Sequence, residues 1–119
     1  MANAECKYFS KADEVMTFDH GKVEIVKMEL GTIGRRTLQP GWRWSKDVKP
    51  MAKTEWCEAP HFQYIVSGKI RIQMADGKEF DLEAGSVSHL PTGHDGWVVG
   101  NEPVVAVDWY GAANYAEKK

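Results

Sequence analysis

Two short blocks joined by a hairpin constrain the fold of this chain more than any other feature. The first block runs from Glu55 to His61 and is followed six residues later by the turn residues Ser67 and Gly68. The second block, from Gly85 to Trp97, is rich in glycine and contains one proline. Glycine and proline at such short intervals stop regular elements early, so both blocks predict short strands joined by tight turns.

The segment between the blocks has the pattern of a β-hairpin. Ile70, Ile72 and Met74 alternate with polar residues, as on a strand with one buried face. Asp76-Gly77 follows, and this pair tolerates the positive φ angles that a two-residue hairpin requires. Eight or so such short strands, with hardly any helical periodicity, predict an all-β fold, either a closed antiparallel barrel or a jelly roll.

The chain is predicted to form one compact domain with two short appendages. We expect an N-terminal arm over residues 1–20, the barrel over residues 21–112 and a C-terminal tail over residues 113–119. Ser10 is a candidate N-cap for a short helix in the arm. The stretch from Gly41 to Pro50 has no regular period and predicts an irregular segment. A chain of 119 residues is long enough to bury a core without disulfide bonds.

Composition narrows the classes of partner. The net charge of −2 provides no basic surface, so we expect no nucleic-acid partner. No apolar run approaches the ~18 residues of a membrane span, so we expect no membrane partner. Cys6 and Cys57 do not make a disulfide framework, and a reducing cytoplasm is the expected location.

The residues of the two blocks resemble the motifs of a known family. Gly85, Pro91 and Gly93 have the spacing that opens the second motif of cupins, and Gly68 closes the first. Over residues 20–110 the chain resembles a small single-domain cupin. The resemblance implies a double-stranded β-helix, a jelly-roll barrel that often forms a homodimer and holds a small-molecule ligand or substrate. Many cupins carry Fe, Mn, Zn, Ni or Cu, and others carry no metal.

The positions at which cupins hold their metal are substituted in this chain. Where the family has two histidines, a glutamate and a final histidine, this chain has Glu55, Cys57, His61 and Gly96. His94 lies two residues before Gly96. The metal of the family therefore cannot be transferred to this chain by resemblance alone.

The substituted residues still suggest a metal site. If the first block is an extended strand, side-chain alternation places Glu55, Cys57 and His61 on one face. His94 would approach from the facing motif. A thiolate, imidazoles and a carboxylate suit a divalent transition metal, Zn or Fe first and Mn, Ni or Cu next, better than Mg or Ca. Alternatively, Cys57 fills the core and His61 only makes hydrogen bonds. The sequence supports a metal-bound and a metal-free barrel about equally.

Further residues are candidates for the wall of the cavity. The aromatic side chains among them would stack on a ligand or pack the core, and Asp95 would orient His94 or act as a general base. Arg35 and Arg36 are adjacent, so on a strand only one of them can point inward. The predicted cavity residues are Trp42, Tyr64, His89, Asp95 and Trp97.

Three functional hypotheses follow from these observations. The first is a metal-dependent enzyme, an oxygenase, isomerase or lyase that acts on a small polar metabolite. The second is a non-catalytic barrel that binds or senses a small molecule without metal. The third is a reactive thiol at Cys57, activated by His61.

Overall fold

The computed structural model describes residues 4–57 and 60–110. The described chain forms a one-turn 3-10 helix, nine strands and two one-turn helices. In chain order these are the 3-10 helix Phe9–Lys11, β1 Glu14–Phe18, β2 Gly21–Lys27, β3 Thr32–Leu38, α1 Trp44–Asp47, α2 Lys49–Ala52, β4 His61–Ser67, β5 Lys69–Met74, β6 Glu79–Glu83, β7 Val87–Leu90, β8 His94–Val98 and β9 Val104–Asp108.

The strands form two antiparallel sheets. One has six strands in the order β1-β2-β3-β9-β4-β7, and the other has three in the order β6-β5-β8. β4 belongs to the first sheet and β5 to the second, so the chain crosses between sheets at Gly68. Gly68 has φ 80°, and a Cβ there would lie 2.5 Å from the Pro103 carbonyl oxygen. The predicted Ser67-Gly68 turn is therefore a position where only glycine fits.

The core lies between the two sheets. Val23, Ile65 and Val104 point inward from the six-stranded sheet, and each is fully buried. Ile70 and Ile72 point inward from the three-stranded sheet and join the same apolar cluster. The alternation of buried and exposed residues along β4 and β5 explains why these segments form strands with one inner face. The all-β jelly-roll fold predicted from the sequence is confirmed.

Two local predictions were wrong. Ser10 does not begin an α-helix, because only one 3-10 turn forms and β1 begins at Glu14, where it pairs with β2. The region from Gly41 to Pro50 is also more regular than predicted, since α1 lies within it and α2 begins at its end. The tail predicted over residues 113–119 lies outside the described residues.

Residues 4–57 and 60–110 contain no helix with the length and apolarity needed to cross a membrane.

Candidate metal centre

A main-chain pairing brings the first block to the second. Cys57 and His94 form an isolated antiparallel bridge, in which the Cys57 amide donates to the His94 carbonyl at 2.7 Å. The Gly93 amide donates back to the Cys57 carbonyl at 2.8 Å. The bridge places Cys57 beside the start of β8, while His61 begins β4.

Three potential ligand atoms converge at this point. One atom each from Cys57, His61 and His94 lies within 4.8 Å of the other two, and all three residues are buried. Cys57 Sγ is 4.0 Å from His61 Nε2, and the two imidazole centroids are 5.1 Å apart. A tetrahedral Zn²⁺ site separates its sulfur and nitrogen ligands by ~3.6 Å, as its bond lengths require. Small side-chain movements would therefore close the three ligands on one ion.

Asp108 sets the orientation and tautomer of His61. His61 Nδ1 is 2.5 Å from Asp108 Oδ2, which only accepts, and 2.9 Å from Arg36 Nη1, which only donates. The shorter contact with the carboxylate favours the tautomer in which Nδ1 carries the hydrogen. Nε2 then holds the lone pair, on the side of Cys57. A carboxylate behind a ligating histidine is the arrangement that fixes imidazoles at metal sites. Asp108 is itself fully buried at the end of β9 and accepts from the amides of Phe62 and Tyr110.

His94 is oriented by a main-chain carbonyl. Its Nδ1 is 3.0 Å from the Pro91 carbonyl oxygen, which only accepts, so Nδ1 again donates. The lone pair of His94 is therefore on Nε2 as well. Both imidazoles present the same nitrogen as a possible ligand.

The electrostatics keep both imidazoles neutral. Burial, and after it the nearby Arg36 cation, lowers the pKa of His61 to about 3. Burial also lowers the pKa of His94. Burial alone would raise the pKa of Asp108, but the hydrogen bond from His61 and the charge of Arg36 lower it on balance. Neutral imidazoles beside an ionised carboxylate are the forms that bind a metal.

Arg36 completes a buried polar network behind the cluster. Its side chain points inward from β3, whereas that of Arg35 pairs with Glu24 on the outer face. Arg36 donates to Asp108 Oδ2 at 3.0 Å and to the Oε1 atom of Gln63. A buried ion pair of this kind requires both partners, because losing one leaves a charge without compensation.

The cluster lines a small cavity between the sheets. Its volume of ≈20 Å³ admits little more than one water molecule. The wall combines the three potential ligands and the Arg36 network with large apolar side chains. The lining residues are Arg36, Leu38, Trp42, Trp44, Cys57, His61, Gln63, Ile70, Ile72, Leu90, His94 and Gly96.

Glu55 does not join the other three predicted ligands. It is exposed in a bend, and the cluster consists of Cys57, His61 and His94. The prediction assumed one extended strand from Glu55 to His61, but β4 begins only at His61. Side-chain alternation therefore does not extend back to Glu55.

Of the predicted cavity residues, only Trp42 lies in the wall. Tyr64 and His89 point to the outer face of the six-stranded sheet and are exposed. The inner positions are taken by His61 and Gln63 on β4 and by Leu90 on β7. Asp95 points away from His94, and its carboxylate binds Arg43 and the amides of Ser45 and Gly96. Trp97 is half-buried beneath the Arg43 guanidinium, 4.2 Å from its ring centroid.

Gly96, which stands where cupins have their final histidine, packs closely against β5. A Cβ at this position would lie 3.2 Å from the Ile72 Cδ1 atom and 3.4 Å from the Arg71 carbonyl oxygen. A side chain at this position would require Ile72 to shift by a few tenths of an ångström. His94 lies two residues earlier on the same face of β8 and supplies an imidazole from there.

Sequence reasoning missed three residues of the site. Asp108 ends a strand whose other residues are all apolar, and Gln63 lies two residues after His61 in the same inward phase of β4, which was the available signal for each. Trp44 had no such signal, because it depends on the path of the chain before α1.

No family model and no curated protein matches the sequence. Solved structures do match. A crystal structure of Lactobacillus farciminis oxalate decarboxylase in complex with formate aligns over 87% of this chain with a TM-score of 0.61 and 20% identity. A point mutant of Bacillus subtilis oxalate decarboxylase aligns over 87% with a TM-score of 0.62 and 25% identity. The Bacillus subtilis enzyme at pH 4.6 aligns over 90% with a TM-score of 0.59 and 24% identity.

The chain covers 32%, 29% and 28% of these three proteins, so it corresponds to less than a third of each. At such identities the similarity concerns the architecture. Three observations indicate the same architecture: the two antiparallel sheets, the positions of the two glycine-containing motifs and the similarity to these solved structures. The chain has the cupin fold, a double-stranded β-helix with a candidate Cys-His-His metal centre between its sheets.

Proposed function

We propose that this protein binds a divalent transition metal through Cys57, His61 and His94 and holds a small polar molecule beside it. One observation carries the proposal. Three buried ligand atoms converge within 4.8 Å, and both imidazoles are held by their Nδ1 atoms so that Nε2 retains its lone pair.

The donor set favours Zn²⁺ or Fe²⁺. A thiolate with two imidazoles is softer than the oxygen ligands that Mg²⁺ and Ca²⁺ prefer, and Mn, Ni and Cu rank after Zn and Fe. Three protein ligands would leave a position for water or substrate, as in catalytic rather than structural sites. The metal would supply Lewis-acid polarisation at that position.

The protein's own residues would organise the site. Asp108 holds the His61 proton on Nδ1, and Arg36 holds Asp108. The apolar wall from Leu38, Ile70 and Leu90 restricts the entry of bulk water. These features support a metal-dependent reaction on a small polar metabolite, of the oxygenase, isomerase or lyase type. The similarity to oxalate decarboxylases, which are named for a decarboxylation, favours the lyase type.

A non-catalytic, metal-free binding barrel is the alternative. It is favoured by the loss of the usual final histidine at Gly96 and by the 4.0 Å contact in which the Cys57 thiol can donate to His61 Nε2. The reactive-thiol hypothesis is weaker, because a His61 pKa of about 3 leaves no imidazolium to stabilise a thiolate at neutral pH.

The proposal is tested by calorimetric titration of Zn²⁺ and Fe²⁺ into chelator-treated protein. We expect one site per chain in the wild type and in His89→Ala, whose side chain lies on the outer face. Cys57→Ser and His61→Ala should each weaken binding at least about tenfold, since each removes a ligand. Equal affinity in all four proteins would show that Cys57 and His61 are not metal ligands, and it would favour the metal-free alternative.

We also propose that the protein is located in the cytoplasm and that it forms a homodimer. Neither Cys6 nor Cys57 is part of a disulfide in the portion of the chain that the structure describes, which suits a reducing compartment. The outer face of β4 carries exposed Phe62 and Tyr64, and Phe62 packs against exposed Trp109 with ring centroids 5.8 Å apart. Phe62, Tyr64, Trp109 and the adjacent exposed Val66 and Val87 form what we call the outer aromatic patch.

The size of the outer aromatic patch supports a second copy as its occupant. Large aromatic side chains bury 150–250 Å² each, so three that are about half exposed, with two valines, offer on the order of 400 Å² of apolar surface. A standard interface uses ~800 Å² per partner, with an apolar centre of about this extent.

A further inference from the structure

Two indole N–H groups in the cavity wall lack acceptors. The Nε1 atoms of Trp42 and Trp44 are buried, and the residues that the structure describes provide neither with a hydrogen-bond partner. Each tryptophan is only 2% exposed. An indole N–H is solely a donor, and leaving it buried without an acceptor is unfavourable.

The local chain path places both indoles on the cavity side. Arg43 has extended backbone angles and forms an isolated bridge with Trp97, so the neighbouring side chains at positions 42 and 44 both point inward. The Val98 amide donates to the Trp42 carbonyl at 3.1 Å and fastens the segment to β8. Both tryptophans line the same small cavity as the Cys-His-His cluster.

With His61 Nε2, His94 Nε2 and the Cys57 thiolate bound to the metal, the remaining side chains of the described wall offer these donors no free acceptor. No carboxylate is among the described lining residues. The one amide oxygen, Gln63 Oε1, accepts from Arg36. Leu38, Ile70 and Ile72 contribute only hydrocarbon. The two indole N–H groups therefore favour a ligand that carries a hydrogen-bond acceptor.

Charge points to the same class of ligand. Arg36 and Asp108 neutralise each other within one ion pair at 3.0 Å. A divalent metal with the Cys57 thiolate and two neutral imidazoles would leave one uncompensated positive charge. A monoanion would remove this charge in a site that burial shields from water.

We propose that Trp42 and Trp44 are hydrogen-bond donors to a small monoanion that occupies the cavity beside the metal. The inference rests on the proposed metal site and names the ligand class for it. The ≈20 Å³ volume has room for little more than one water molecule, so only the smallest monoanions fit, and a three-atom anion requires a small outward movement of the segment from Trp42 to Ala52.

The test uses azide, a three-atom monoanion that only accepts, titrated calorimetrically into the Zn²⁺-loaded protein. Trp42→Phe and Trp44→Phe keep an aromatic ring and remove the N–H. Trp109→Phe is the matched control on the outer face. We expect each cavity variant to bind azide at least about tenfold more weakly, as for the loss of a hydrogen bond to a charged group. The control should bind azide as the wild type does, and benzoate, which exceeds the cavity, should not bind.

Zn²⁺ affinity is measured first in every variant, which separates the two proposals. Unchanged Zn²⁺ binding with azide affinity equal to wild type in both cavity variants would overturn the role of the tryptophans and leave the metal site intact. If no variant binds Zn²⁺, the metal proposal fails. Azide is then titrated into the metal-free wild type and both cavity variants. Weaker azide binding in the variants supports the donor role of the tryptophans, and absence of azide binding in all of the proteins contradicts it.

Discussion

At the scale of single residues, the candidate site depends on groups that stand behind the three ligands. Asp108 contacts His61 Nδ1 and Arg36, and its other oxygen accepts from two main-chain amides. These contacts fix the imidazole before any ligand arrives. The free-energy cost of orienting His61 therefore arises during folding, when the buried charges of Asp108 and Arg36 must compensate each other.

Asp108→Asn tests this preparation. The substitution keeps the shape but removes the negative charge, so Nδ1 of His61 loses its charge-assisted acceptor and Arg36 loses its counterion. We expect Zn²⁺ affinity to fall about 10- to 100-fold, the usual effect of removing the group behind a ligating histidine. Chelator competition measures the affinity. Asp81→Asn, which alters a half-exposed pair with Arg71, is the control. Equal affinities in the two variants would show that Asp108 does not position His61.

Stability of the metal-free protein should depend on pH through the same histidines. The folded-state pKa of His61 is about 3, below the ordinary 6.5, and that of His94 is also lowered. Between pH 6.5 and 3 the unfolded chain therefore binds protons that the folded chain does not. The free energy of unfolding should fall as pH falls through this window, by up to about 1.4 kcal/mol per pH unit for His61.

Urea denaturation in the presence of a chelator measures this slope. His61→Gln should flatten it, and His89→Gln should leave it unchanged, since His89 is exposed on the outer face. A slope that survives His61→Gln intact would mean that His61 is not held neutral in the folded state.

At the scale of elements, the segment from Trp42 to Ala52 covers the cavity and is held by Asp95. This carboxylate accepts from Arg43 Nε at 3.2 Å and from the Ser45 amide at 3.1 Å, so it joins the start of α1 to β8. Asp95 is 5% exposed, which shields both contacts from competing water. We therefore expect Asp95 to limit movement of this segment away from the cavity.

Removing this contact should expose Cys57. In a Cys6→Ser background, Asp95→Ala should speed the reaction of Cys57 with a thiol-specific reagent at least about tenfold, because two or three hydrogen bonds of ~1 kcal/mol each are lost. Asp81→Ala is the control, and a thermal melt establishes that both variants are folded. If Cys57 reacts at the wild-type rate in folded Asp95→Ala, the segment does not limit access to the cavity.

The elements also show what the sequence could and could not predict. The hairpin around Gly68 and the inward strands were predictable, because two-residue alternation and glycine turns are local properties. Cys57, His61 and His94 were identified by type and spacing. The exclusion of Glu55 was not predictable, since it depends on where β4 begins. The places of Trp44 and Asp108 depend on contacts between residues distant in the chain.

At the scale of the whole molecule, the two sheets have different outer surfaces. The outer face of the six-stranded sheet bears the outer aromatic patch, whereas on the three-stranded sheet Arg71 pairs with Asp81 and Lys69 with Glu83. An apolar patch of this size on one side favours association through the six-stranded sheet.

We expect a dimer in analytical ultracentrifugation, with Phe62→Glu shifting it to monomer because a charge would be buried at the centre of the interface. Val15→Glu is the matched control, as an exposed residue on β1 of the same sheet but outside the outer aromatic patch. A monomeric wild type, or a Phe62→Glu variant that stays dimeric, would contradict this interface.

The metal centre is the central claim, and elemental analysis of protein purified without a chelating affinity tag tests it most directly. Wild type and Cys57→Ser are analysed side by side. We predict close to one equivalent of Zn or Fe per wild-type chain and a sharp loss in Cys57→Ser, because the thiolate is one of only three protein ligands. Absence of metal from the wild type, or equal metal in both proteins, would contradict the Cys57, His61 and His94 site.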